Sequence, residues 1–162
     1  MSQAGRKLGP MVNVVGHATE SWLPASRTGH GDGGRPLAVV LSHDRDFRHL
    51  LRAFLDDVGL QAHSEEEHAG TVQRLARLSP DLVILDLDPA HEHLDWALLE
   101  ALREHPGTSD IPVVASSAAD WLLQERELPL RREGIPTWTQ PFALSDLVDA
   151  IRSAFTASTA AS

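Results

Sequence analysis

The chain contains no cysteine, which removes disulfides, thiolate catalysis and Cys-ligated metal centres from consideration. No apolar run approaches the length that a bilayer requires, and the first residues lack the apolar segment of a signal peptide. A cytoplasmic location is therefore expected. Basic residues are scarce as well: 14 Lys and Arg face 23 Asp and Glu, giving a net charge of -9. An acidic body repels phosphate backbones, so the chain is expected to bind neither nucleic acid nor membrane. A Gly-rich phosphate loop is also missing. Ser42-His43-Asp44 holds all three residue types of a hydrolase triad, but neighbours in sequence cannot converge on one substrate. An independent enzyme is not expected.

What is present at 162 residues is one domain with flanking arms, long enough to bury its own core. Residues 1–36 hold seven Gly, with four basic and two acidic side chains, and end in Gly29-His30-Gly31-Asp32-Gly33-Gly34-Arg35-Pro36. So little apolar surface cannot offset the entropy of ordering, and a flexible N-terminal extension is expected there. Only Met11 to Val15 and Trp22-Leu23 could dock on the body or a partner. The body then runs over 37–155, and a small polar tail, 156–162, is expected to be disordered.

Within the body, short branched runs alternate with helical spacing. Leu37 to Leu41 reads as a strand, and Phe47, Leu50, Leu51, Phe54, Leu55 and Val58 then mark one helix face. Asp44 or Asp46 can cap that helix and Gly59 ends it. Leu60 to His63 is a weak edge strand, after which Glu65-Glu66-Glu67 is expected to open a second helix as a capping feature. Leu82 to Leu87 is a strand apolar on both faces, and Leu94, Ala97, Leu98, Ala101 and Leu102 mark the next helix. Strands at 111–115 and 135–139 flank a segment that Pro129 must shorten or kink. A last helix begins at Ser145-Asp146. Five strands alternating with helices imply an α/β, doubly wound parallel sheet. In such sheets ligands sit beyond the carboxyl ends of the strands, where the central run delivers Asp86 and Asp88.

The chain resembles a response-regulator receiver domain of two-component signalling over roughly residues 37–155. The resemblance is carried by Asp46-Phe47-Arg48, by Pro80-Asp81-Leu82-Val83-Ile84-Leu85-Asp86-Leu87, by Asp110-Ile111-Pro112-Val113-Val114 and by Gln140-Pro141-Phe142. It implies the flavodoxin-like strand order 2-1-3-4-5 and a cis peptide before Pro141. It also implies phosphoryl transfer from a phosphohistidine, or a small phosphodonor, to an Asp at the end of the third strand. That chemistry needs a carboxylate nucleophile, a Mg²⁺ held by an acidic pair after the first strand, a hydroxyl and a lysine.

Carried over by position, Asp86 matches the phosphoacceptor and Ser117 the hydroxyl. The acidic pair falls on Ser42 and His43, with Asp44 one residue late, and the lysine position is Gln140. Thr137 stands where the family has its switch aromatic, and Pro89 departs from the usual loop after the acceptor. Losing two metal carboxylates and a cation removes several kcal/mol of stabilisation, in order of magnitude, from transition state and phosphoaspartate alike. The expectation is thus a degenerate pocket (Ser42, His43, Asp44, Asp88, Ser117, Gln140, Pro141) in a stand-alone pseudo-receiver acting through protein contacts, without a cofactor. The alternative is a working receiver that accepts phosphate on Asp86 with Mg²⁺, using Asp44 and Asp88.

Two ligand readings rank lower. His43, Asp44, Asp86, Asp88, His91 and His93 could share the rim and hold a transition metal. A cobalamin module fits His43 alone, because the Asp and Gly expected around it are Leu41 and Asp46. The partners implied are proteins, a histidine kinase or a downstream regulator, with a homodimer as an open alternative. In receivers the face of the fourth helix, fifth strand and fifth helix commonly makes such contacts. Here Trp121, Leu122, Thr137 and Trp138 are its candidates, since a broken helix cannot bury every apolar residue around it.

Overall fold

A computed structural model describes residues 23–26, 34–66, 69–140 and 143–160. The elements are β1 (Leu37–Leu41), α1 (Arg45–Asp57), β2 (Gln61–Glu65), α2 (Thr71–Leu78), β3 (Leu82–Asp86), α3 (Glu92–Glu104), β4 (Val113–Ser117), α4 (Asp120–Glu125), α5 (Glu127–Arg132), β5 (Thr137–Thr139) and α6 (Leu144–Ala160). The five strands form one parallel sheet in the order β2-β1-β3-β4-β5. The fold class expected from the alternation is the one observed.

Every residue of β1, β3 and β4 is buried, as the unbroken apolar runs require of strands covered on both faces. Side-chain alternation divides the interior into two layers. Ala38, Val40, Leu82, Ile84 and Val114 face α1 and α6, meeting Leu51, Leu55, Leu147 and Ile151. Val39, Leu41, Val83, Leu85 and Ala115 face the opposite side, meeting Leu75, Leu99, Leu102, Leu122 and Leu130.

Local chemistry sets the element ends. Asp44 caps α1, its Oδ1 accepting the N–H groups of Asp46 and Phe47. We expect Asp44→Ala to cost about 1 kcal/mol, the usual worth of an N-cap, read as a lower urea midpoint with an unchanged slope. Pro129 is tolerated because the chain restarts as α5 at Glu127, leaving the proline in a first turn where its missing N–H costs nothing.

Several expectations need correction. β2 extends to Glu65, since it pairs with β1 along its whole length and Leu41 lies opposite Glu65. The acids after His63 therefore do not cap α2, which begins at Thr71 behind Gly70. Glu65 instead meets Arg74 at 3.2 Å. On α3 the buried positions are Asp95, Leu99 and Leu102, while Leu94 is 65% exposed. The helix is turned so that a carboxylate, not a leucine, begins its inner face. The tail also departs from expectation, since α6 continues to Ala160 and Ser158 Oγ donates to the Asp110 carbonyl at 3.3 Å.

Part of the N-terminal extension belongs to the body too. Leu23 packs against the α1 layer, its Cδ1 lying 3.1 Å from where a Cβ on Gly59 would stand. Arg35 donates to the carbonyls of Asp56, Gly59 and Leu60 and pairs with the Asp56 carboxylate at 2.9 Å. A cation at the end of α1 suits the carbonyls and the dipole there. The apolar patch at 11–15, Trp22, and Pro141 with its peptide bond lie outside the described residues.

Candidate functional site

β3 ends at Asp86, which is 9% exposed, between the ends of β1 and β4. Its carboxylate is held by neutral donors. The Ser42 hydroxyl donates to Oδ2 at 2.7 Å and the Gln140 amide to Oδ1 at 3.0 Å, with Ser116 Oγ 3.5 Å from the same oxygen. Burial is the main influence on its pKa and raises it above the ordinary carboxylate value. The bonds from Ser42 and Gln140 pull the other way, and the charges of Asp95 and Asp88 add to the rise. Among the described residues no lysine offsets this.

Other expected pocket residues have different employment. Ser117 Oγ donates to the Leu87 carbonyl at 2.7 Å and accepts the Ala119 N–H, so it pins the end of β4 rather than facing Asp86. Ser116, rather than Ser117, lies opposite Asp86 in the β3–β4 register and supplies the nearby hydroxyl. Asp44 is committed to the α1 cap. Arg48 Nη1 donates to the Ser42 carbonyl at 2.6 Å, which ties α1 to the end of β1.

A second group adjoins this one. His43 Nε2 lies 3.3 Å from Asp95 Oδ1, and the other Asp95 oxygen accepts the Asp88 N–H at 2.7 Å. The His43 ring stacks on His91 with centroids 4.0 Å apart. His91 Nδ1 is 3.0 Å from Asp88 Oδ2, and Glu66 Oε1 is 3.9 Å from His43 Nδ1. The pKa of Asp88 is lowered, first by the Ala90 N–H and then by His91. Asp95 was missing from the expected site. Its signal was the i, i+4, i+7 spacing with Leu99 and Leu102, which puts an acid on the inner face of α3.

Among the described residues no three His, Asp or Glu side chains are grouped so as to hold an ion, and His93 is exposed. Two interface candidates are corrected as well. Leu122 is fully buried and Trp138 nearly so, the indole lying beside Phe47 in the α1 layer. Trp121 and Thr137 are exposed, Trp121 by 52%, and Leu128 by 63%.

Comparison with solved structures gives the fold a name. A response regulator from Thermotoga maritima aligns over 75% of this chain and 98% of its own, with a TM-score of 0.62 at 19% identity. The chemotaxis protein CheY4 of Vibrio cholerae aligns over 73% and 97%, with a TM-score of 0.61 at 14% identity. The chain has the receiver-domain fold. A sensor protein from Polaromonas sp. JS666 is similar over 76% of this chain and 98% of its own, with a TM-score of 0.65 at 24% identity. No family model matches the sequence, and no curated protein does. At these identities the likeness speaks for the receiver architecture and for nothing finer. No described helix is long and apolar enough to cross a membrane.

Proposed function

We propose that this chain is an atypical receiver domain that signals through protein–protein contacts without phosphorylation of Asp86. One observation carries the reading: the Asp86 carboxylate is already engaged by Ser42 and Gln140, two uncharged donors. Phosphoryl transfer to a carboxylate depends on positive charge at the incoming oxygens. A hard cation such as Mg²⁺ asks for several anionic or carbonyl oxygens. Around Asp86 the donor set does not fit one, since Ser42 and Gln140 direct hydrogens at the carboxylate and Asp44 is spent on a helix cap. The protein would then be a non-enzymatic module, with a histidine kinase, a downstream regulator or a second copy of itself as the partner.

Titration of the full chain with beryllofluoride in Mg²⁺, followed by amide shifts of residues 84–88, tests the reading alongside incubation with a small phosphodonor and intact-mass detection. We expect neither a saturable shift nor a phosphorylated species. A phosphorylated species absent from Asp86→Asn would establish the alternative, a phosphorelay receiver with Asp86 as acceptor.

A further inference from the structure

The reading above gives no task to Asp95 or to the stacked histidines. Asp95 is fully buried in the first turn of α3, where an unpaired charge would be costly. Both its oxygens are occupied, one by the Asp88 N–H and one by His43 Nε2. His43 belongs to the turn after β1 and Asp88 to the loop after β3, two adjacent strands. One buried carboxylate therefore bridges two loops at the rim of the sheet. The stack of His43 on His91, and the approach of His91 Nδ1 to Asp88 Oδ2, close the contacts into a ring. Glu66 faces this ring from beyond β2 and Asp86 from β3.

We infer that His43, His91, Asp88 and Asp95 form a side-chain latch that holds the β3–α3 loop shut beside Asp86, bridging the rim by hydrogen bonds where a hard cation would otherwise do so. Asp95 is its positioning residue. Release of the latch frees residues 87–91 and the first turn of α3 without any chemistry at Asp86, giving the domain two surfaces from which a protein partner can choose. The inference rests on the phosphorylation-independent reading and extends it.

Hydrogen exchange on the full chain tests the latch in wild type, His43→Ala, Asp95→Ala and the double variant. Each single change should speed exchange of the Asp88 amide roughly tenfold, with the double variant no faster than the faster single one, since either loss opens the same ring. Amides of β1 and β3 should keep wild-type protection. Additive effects, or an Asp88 amide indifferent to His43→Ala, would overturn the latch. Should Asp95→Ala fail to fold, His91→Ala paired with His43→Ala asks the same question without touching the buried carboxylate. Beryllofluoride binding by the wild-type chain would defeat the functional reading, while additivity without such binding defeats the latch alone.

Discussion

Asp86→Asn is expected to raise the stability of the protein at neutral pH, because a hydrogen-bonded amide costs less to bury than a carboxylate held by uncharged donors. The carboxylate is almost wholly buried and, among the described residues, hydrogen-bonds to no cation; burial raises its pKa, with the charges of Asp95 and Asp88 adding to that rise. An asparagine preserves the geometry. Its carbonyl can accept from Gln140 and its amide can donate to Ser42 Oγ, which already accepts from the Asp44 N–H and can rotate its own proton away.

The sign of the pH dependence follows from that raised value. A carboxyl whose folded pKa lies above its unfolded one favours folding while protonated, and the contribution is lost as pH rises through the folded value. The advantage of Asp86→Asn should thus be greatest near neutrality and fade as pH falls toward the ordinary carboxylate range. Asp88 behaves oppositely, its lowered pKa giving a small contribution that is lost in acid, but it is common to both proteins and cancels. Urea midpoints of the two proteins between pH 4 and pH 7.5 measure the difference. A variant less stable than wild type at pH 7 would mean that the ionised carboxylate is a net stabiliser of its pocket.

That buried acid and the sheet around it were legible for one reason, which also explains what was not. Runs such as Leu82 to Leu85 are apolar at every position, short and bounded by prolines, which suits a strand covered on both faces. β2 has no such run, so its pairing with β1 was settled by the neighbour's backbone rather than by its own side chains. The phase of α3 escaped because counting leucines placed Leu94 inside, whereas Asp95 is accepted there by Asp88, on the loop just before the helix, and by His43, on the loop after β1. A contact between residues 52 positions apart, such as His43 with Asp95, leaves no trace in local periodicity. The exchange of Ser117 for Ser116 has a similar origin. Both are buried serines at the end of β4, and only the register that sets Asp86 opposite Ser116 decides which hydroxyl approaches the acid.

Restoring charge to the rim should restore anion binding. In the triple variant Ser42→Asp, His43→Asp, Gln140→Lys we expect Mg²⁺-dependent beryllofluoride binding at least about 100-fold tighter than any shown by the wild-type chain, in keeping with the worth of oriented charges at a water-poor site. The backbone need not change, since Ser42 already reaches Asp86 from β1 at 2.7 Å and Gln140 from beyond β5 at 3.0 Å. A cost accompanies the gain. Two new carboxylates beside Asp86, Asp88 and Asp95 repel one another, and replacing His43 also removes one of the two partners of Asp95. Without Mg²⁺ the variant should melt below wild type, and millimolar Mg²⁺ should recover much of the loss, because a ligand that binds only the folded state stabilises it. The same Mg²⁺ should leave the wild-type melting temperature unchanged. A triple variant that folds yet binds neither ion would show that the β3–α3 loop, with its early Pro89, has lost the shape of a phosphate site and not merely its charge.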